Sequence, residues 1–278
     1  MTERVLIAGC GEVGNALGAR LLADGYEVWG IRRNVSALAE GIRPWPVDLT
    51  DPRSLRSPPT LFDYVFYTAS ADRRDESSYR AVYVNGLRDL LGALEAAGSP
   101  MKRVFFTSST AVYGQQTGEW VDERSVTEPA RFNGRILLEA ESLVRGLGPG
   151  VVVRLSGIYG PGRTRLIGKV WSGEAEATER WTNRVHVEDC GGLLHHLMRL
   201  DTPAHVYLGS DDAPATTAEV VTWMSEQLGV AAPPAADTPS SNKRCRNRLL
   251  RDTGYQFLYP TFREGYAPII KDFLRDLR

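Results

Sequence analysis

The sequence predicts an α/β fold: a doubly wound parallel sheet of about seven strands with a smaller C-terminal α/β lobe. Three observations carry this. Short apolar runs alternate with longer segments of helical period, the pattern of stacked βαβ units. The first run passes directly into the glycine-rich turn GCGEVG, which opens an amphipathic helix. After Ser210 the alternation gives way to segments punctuated by Pro214, Pro233, Pro234 and Pro239, as expected where a second lobe begins.

Strands are predicted at 5–8, 27–31, 64–68, 103–107, 151–155 and 205–208, with a shorter one ending at Asp48. Helices are predicted at 13–23, 79–97, 135–145 and 188–200, and at 217–228 in the second lobe. Leu87, Leu90, Leu91 and Leu94 recur at helical spacing and give one apolar stripe that packs on the sheet or on another subunit. Residues 1–157 are expected to form the main domain, with the strand at 205–210 returning to its sheet, while 158–204 and 211–278 form the smaller lobe. The Pro-, Ala- and Ser-rich stretch 231–241 reads as a surface connection.

The composition is that of a globular chain, with 42% hydrophobic and 24% charged residues among 278. Thirty-three basic residues face 34 acidic ones, so there is no electrostatic footprint for nucleic acid or an anionic membrane, and a small molecule is the expected partner. Cys10, Cys190 and Cys245 match neither a disulfide framework nor a metal-ligand spacing; no metal is expected, and the thiols read as reduced, in a cytoplasmic protein. The opening residues MTERVLIAGCG carry no basic n-region with an apolar h-region and no window of 18 uninterrupted apolar residues follows, so neither secretion nor membrane spanning is expected.

Gly9, Gly11 and Gly14 form a GxGxxG pattern between a strand and a helix. Gly9 permits the tight turn, Gly11 lets a pyrophosphate approach the backbone, and Gly14 lets helix and strand pack closely while helix N–H groups face the anion. The loop of Gly9, Cys10, Gly11, Glu12, Val13 and Gly14 is therefore assigned to a dinucleotide in a Rossmann-type domain. The next strand ends at Arg32 and Arg33, 18 and 19 residues past Gly14. An NAD site commonly places Asp or Glu there for the ribose 2′-hydroxyl, whereas a guanidinium suits a 2′-phosphate, so NADP(H) is favoured over NAD(H). Solvated loop arginines are the alternative reading.

Several further motifs stand in order: VDLTD at 47–51, TAS at 68–70, NGLRDLL at 85–91, TSSTAVYG at 107–114, RLSGIYGPGR at 154–163 and NRVHVEDC at 183–190. With GCGEVG they resemble the extended short-chain dehydrogenase/reductases of the NAD(P)-dependent epimerase/dehydratase branch. The resemblance implies that Asp48 and Leu49 flank the adenine, that Ala69 and Ser70 line the cofactor cleft, and that Ser156, Gly157 and Ile158 lie near the nicotinamide. It also implies a homodimer through the helices around 79–97 and 133–145.

The same resemblance makes Ser109 the serine that hydrogen-bonds the reacting oxygen, a role its hydroxyl suits in either redox direction. The family's catalytic YxxxK pair is missing. Aligning FNGRILLEAESLV through its apolar stripe and Glu141 puts Asn133 at the tyrosine position and Leu137 at the lysine position, and no tyrosine lies between Tyr113 and Tyr159. An amide does not exchange a proton near neutral pH, so the standard relay cannot operate. Tyr113, Tyr159, His186 or a bound water are the candidates for that proton. His186 also reads as a structural residue of the HxxD motif. Arg163 and Arg184 follow segments that face the substrate in relatives, where they grip an anionic group or pair with nearby carboxylates. The expected function is hydride transfer on a small carbonyl or alcohol substrate, anionic or nucleotide-linked. The alternative is a non-catalytic NADP(H)-binding protein with a regulatory or structural role.

Overall fold

The computed structural model describes residues 2–236 and 242–277, so the expected surface connection lies, at 237–241, outside the described residues. In chain order the main elements are β1 (Arg4–Ala8), α1 (Glu12–Ala23), β2 (Glu27–Ile31), β3 (Arg43–Trp45), β4 (Tyr64–Tyr67), α2 (Leu87–Ala96), β5 (Arg103–Ser109), α3 (Phe132–Arg145), β6 (Gly150–Leu155), α4 (Val187–Met198) and β7 (Val206–Gly209). The seven strands form one parallel sheet in the order β7-β6-β5-β4-β1-β2-β3. Strands covered on both faces need continuous apolar runs rather than alternation. β6 is buried at every position, and β1 and β4 at all but their first. Phe66 and Phe105 pair in register on β4 and β5 and stack at 4.5 Å.

From β1 the chain builds outward through β2 and β3, then returns to the other side of β1 for β4. Such a reversal opens a crevice at the C-terminal ends of the two strands that flank it.

Two expected elements differ in detail. The strand expected to end at Asp48 stops at Trp45, because Pro44 and Pro46 bring no N–H to a ladder and Val47 N–H turns back to the Trp45 carbonyl at 2.9 Å. The helix expected at 79–97 begins earlier, at Glu76–Tyr79, where Asp75 accepts the Ser78 N–H at 2.8 Å. It then passes through a π-helical turn, Arg80–Gly86, before α2. All four leucines of the α2 stripe are buried.

Contacts divide the chain into two compact units: Met1–Gly114, Thr127–Arg154 and Cys190–Tyr207 in the first, and Gln115–Val126, Leu155–Asp189 and Leu208–Arg278 in the second. The division departs from the sequence-based one in four places: 115–126, 155–157 and 208–210 fall in the second unit, and 190–204 in the first. From Cys190 onward α4 belongs to the first unit, since a Cβ at Gly191 would lie 2.7 Å from the Ala16 carbonyl carbon and the Leu17 nitrogen of α1. The strand Thr117–Val121 belongs to the second, where it pairs in parallel with Asn242–Cys245.

The second unit has its own apolar core, with Tyr159, Ile167, Val170, Val220, Val221, Met224, Phe262 and Tyr266 among its buried members. Two of its helices, Thr217–Leu228 and Phe262–Asp276, start with a capping box. Thr216 Oγ1 accepts the Glu219 N–H at 3.1 Å while Glu219 accepts the Thr216 N–H at 2.7 Å, and Thr261 and Glu264 repeat the arrangement. Removing such a cap hydroxyl leaves first-turn donors unpaired. Thr216→Ala is expected to lower stability by about 1 kcal/mol in denaturant unfolding, and an unchanged midpoint would show that the cap contributes nothing.

Candidate functional site

The end of β1 meets the end of β4 at very short range. Gly9 has φ +81°, and a Cβ there would lie 2.2 Å from Ala69 Cα, so only glycine fits. At Gly11 a Cβ would meet nothing nearer than the Gly9 carbonyl at 3.9 Å, which leaves the approach to the backbone open. Gly14 closes the opposite side: its Cβ would lie 2.9 Å from Ile7 Cγ2, so α1 sits against β1. Gly11 caps α1 without a side-chain bond. The first-turn N–H groups have no carbonyl one turn earlier and carry the positive end of the helix dipole. Glu12 and Val13 stand in this turn, and Cys10 is fully buried beneath it.

A pocket opens above this turn, lined by Gly9, Gly11, Arg32, Arg33, Asp48, Leu49, Ala69 and Ser70 together with Ile31, Val47, Thr50, Asp72 and Val82. The first eight were expected from the sequence, and the fold brings them together. A dinucleotide fits this lining: the N-terminal end of α1 for a diphosphate, two guanidinium groups at the rim, and apolar Val47 and Leu49 for a base. Arg32 lies along the loop, its Nη1 donating to the Cys10 carbonyl at 3.2 Å. Arg33 reaches Asp72 at 2.6 Å, with side chains 63% and 67% exposed. A pair this exposed contributes at most about 1 kcal/mol, so a phosphate can displace it. Asp48 is tied down locally: the Thr50 backbone N–H, at 2.8 Å, and the Thr50 hydroxyl, at 2.7 Å, outweigh burial and hold its carboxyl below the usual range.

Val82 enters this lining from the π-helical turn. Tyr67, at the end of β4, donates its hydroxyl to the Val82 carbonyl at 2.5 Å. A Cβ at Gly86 would lie 2.6 Å from the Leu49 carbonyl. The turn is thus fixed to the pocket wall at both ends.

Ser109 ends β5, and its Oγ accepts the Ala111 N–H at 3.2 Å, the strand-end bond such serines often make. Asn133 stands half-buried in the first turn of α3. At the next residue, Gly134, a Cβ would lie 2.5 Å from the Ala111 carbonyl and 2.4 Å from Pro129 Cβ. The start of α3 therefore lies against the turn that follows Ser109. Leu137 is buried and apolar where the family lysine is expected.

Tyr113 is drawn into a buried ion-pair network. Arg154 Nη1 donates to the Tyr113 oxygen at 3.0 Å, and the guanidinium grips Glu141 through Nε at 3.0 Å and Nη2 at 2.7 Å. Ser108 adds a bond to Glu141 at 2.6 Å. Burial disfavours the Arg154 cation, but Glu141 and Tyr113 outweigh it and raise its pKa. Nothing in the sequence spacing joined these four residues.

The remaining expected residues belong to the second unit. Gly157 and Ile158 pair in parallel with Arg184 and Val185. The Ser156 N–H bonds the Gly209 carbonyl at 2.9 Å, while its Oγ is buried with no hydrogen-bond partner among the described residues. Arg163 reaches the Ile158 carbonyl at 3.4 Å. Arg184 is buried, donates to Thr182 Oγ1 at 2.6 Å and lies over the Phe262 ring at 6.0 Å.

His186 lies 3.9 Å from the Tyr259 ring, with Nδ1 accepting the Glu188 N–H at 3.2 Å; burial lowers its pKa, against Asp189 and Glu188. Its HxxD partner Asp189 accepts the Tyr255 hydroxyl at 2.8 Å and the Leu258 and Tyr259 N–H groups at 2.8 and 2.9 Å. Asp211 was missed by sequence reasoning. Burial pushes its carboxyl up to about 8, against an Ala213 N–H bond and Arg184, and its Oδ2 has no hydrogen-bond partner among the described residues.

A family model described as the NAD dependent epimerase/dehydratase family matches residues 5–200. The chain belongs to that family. A solved structure from Methylobacillus flagellatus, assigned to the NAD-dependent epimerase/dehydratases, is 35% identical with a TM-score of 0.87, over 99% of this chain and 100% of that one. Protein YeeZ of Escherichia coli K12 is 29% identical over 93% of this chain and 97% of its own length. The fold is shared by human SDR39U1 in complex with NADPH, at 22% identity and TM-score 0.80 over 97% and 99% of the two chains. It is shared too by MoeE5 in complex with UDP-glucose and NAD, at 24% and 0.79 over 99% and 100%.

Two predictions follow from burial within this family member. All three cysteines are buried, and burial pushes the Cys10 and Cys245 thiols up to about 12 despite Arg32 and Lys243. A thiol reagent should modify none of the three in the native protein at neutral pH and all three after denaturation; rapid native labelling of Cys10 would contradict the packing of the loop. Because the Asp211 pKa is raised on folding, the native state holds a proton that the unfolded state gives up between about pH 4 and 8. Stability contributed by this group therefore falls as pH rises through that window. Asp211→Asn should match the wild type near pH 4 and become progressively more stable than it by pH 8, and parallel stability curves would refute the assignment.

Proposed function

We propose that this chain binds NADP(H) and transfers hydride between its nicotinamide and a small carbonyl or alcohol substrate. The observation that supports this is the pocket at the ends of β1, β2 and β4, where the glycine loop and two arginines converge. The mouth of α1, beside Gly11, would hold the diphosphate, and Val47, Asp48 and Leu49 would hold the adenine. Arg33, in exchange for its exposed bond to Asp72, and Arg32, already aligned by the Cys10 carbonyl, would hold the 2′-phosphate. The family carries nicotinamide chemistry: the bound group gives or accepts the hydride, while the chain orients the substrate oxygen through Ser109. Ser156, Gly157 and Ile158 are the proposed nicotinamide contacts, and Arg163 and Arg184 the proposed contacts of an anionic substrate.

The protein is proposed to act in the cytoplasm as a homodimer. Among the described residues no helix is long and apolar enough to cross a membrane.

Titration calorimetry with NADP+, NADPH, NAD+ and NADH tests the cofactor half. A phosphorylated nucleotide is expected to bind roughly 10- to 100-fold more tightly than its unphosphorylated counterpart, the factor of one charge-assisted contact, and Arg33→Ala should remove most of the difference. Equal affinities would overturn the NADP(H) preference, and no binding of any of the four would overturn the reading itself. NADPH oxidation over a panel of carbonyl compounds tests the catalytic half; tight binding with no oxidation above background would overturn it.

A further inference from the structure

Holding one phosphate with two guanidinium groups requires both to stay converged, and the loop that carries them leaves β2 at Arg32 and Arg33. We propose that Asn15 is the positioning residue of the 2′-phosphate site: its carboxamide clamps this loop at Ala37 and Ala39 and so holds the two arginines in place. The inference rests on the cofactor half of the function proposed above.

Asn15 follows Gly14 directly, in the second turn of α1. A helix interior disfavours asparagine, because its amide competes with the backbone for hydrogen bonds. Here the amide bonds away from its own helix. Nδ2 donates to the Ala37 carbonyl at 2.9 Å, and Oδ1 accepts the Ala39 N–H at 3.1 Å. One side chain thus takes a carbonyl and an N–H two residues apart, as the backbone of a neighbouring strand would. A flipped amide would set donor against donor, so the orientation is fixed. The Cys10 thiol donates to the same Oδ1 at 3.5 Å, which joins the clamp to the glycine loop.

The other bonds of the segment give the turn its shape. Asn34 Oδ1 accepts the Ser36 N–H at 3.1 Å, and the Leu38 N–H returns to the Val35 carbonyl at 3.1 Å. Both are local and neither ties the turn to α1. Farther along, Ile42 is buried against that helix: a Cβ on Gly18 would lie 2.5 Å from its Cδ1. This apolar contact anchors the exit of the loop, so loss of the amide frees the stretch between Arg32 and Ala39 without detaching the whole connection.

Arg32 shares a partner with the clamp. Its Nη1 lies 3.5 Å from the Ala37 carbonyl and 3.2 Å from the Cys10 carbonyl. Because Asn15 holds the Ala37 carbonyl at the shorter distance, Arg32 can turn toward a phosphate without leaving that acceptor unpaired. Arg32 and Arg33 line the pocket, and Asn15 acts on the nucleotide through them.

The test compares NADP+ with NAD+, which differ only in the 2′-phosphate, by titration calorimetry on the full-length protein. Alanine is a better helix former than asparagine, so Asn15→Ala keeps α1. This variant is expected to bind NADP+ about tenfold more weakly and NAD+ less than about twofold more weakly, the lower end of one charge-assisted contact. With Arg32→Ala and Arg33→Ala already in place, Asn15→Ala should leave NADP+ binding unchanged, since the groups it positions are gone. Amide exchange followed by NMR reads the clamp itself: the Ala39 N–H should exchange faster in Asn15→Ala, while the amides of β1 stay as protected as in the wild type. Equal weakening of the two nucleotides, an unaltered NADP+ affinity, or a loss that persists without the arginines would each sink the proposal and leave nucleotide binding intact. If the wild type binds both nucleotides equally, the NADP(H) preference falls and the proposal with it; if it binds neither, the cofactor reading falls as well.

Discussion

The rest of the site depends on one contact, the approach of Gly9 to Ala69. Two parallel strands end side by side, and the loops leaving them touch backbone to backbone because position 9 carries no side chain. A Cβ there would force the ends of β1 and β4 apart, and with them the mouth of α1, the Ser70–Asp72 wall and the π-helical turn behind Val82. Dispersion and burial hold the strands together, but they do not select this spacing. The absence of one carbon atom does.

Charge serves two different purposes in the first unit. The Arg33–Asp72 pair is exposed and costs little to exchange. Arg154 and Glu141 are shut away with Ser108 and Tyr113, and removing one partner of such a pair typically costs about 3–5 kcal/mol because the other is left charged in the interior. The buried network ties β5, α3 and β6 together and holds Tyr113 as part of the frame. The second unit pins its own chain in a similar way, with Asp189 accepting two backbone N–H groups and a phenol from the 255–259 segment.

Much of this was legible in the residues. The apolar runs at 5–8, 27–31, 64–68, 103–107 and 151–155 became central strands, because strands covered on both faces tolerate little else. The glycine roles were legible too, since each glycine answers a local demand that a loop makes wherever it occurs. Periodicity also found α2, but not the π-helical turn that leads into it. That turn is one extra residue absorbed into the helix, and its fixing contacts come from Tyr67 and Leu49, both remote in sequence. The HxxD motif marked His186 and Asp189 without showing that Tyr255, Leu258 and Tyr259 are what the aspartate holds.

By itself the sequence determined the fold class, the glycine-rich loop at the end of the first strand and the arginines beyond the second. Each of these is a local property: a spacing, a missing side chain, a residue type at a strand end. Only the tertiary structure decided that Arg33 faces Asp72, that Tyr113 is locked to Arg154, and that Asp211 is buried with one oxygen unpartnered among the described residues. A side chain's partners and its degree of desolvation are set by segments that meet only when the chain has folded, and those two quantities govern whether a charged or phenolic group binds, titrates or merely supports.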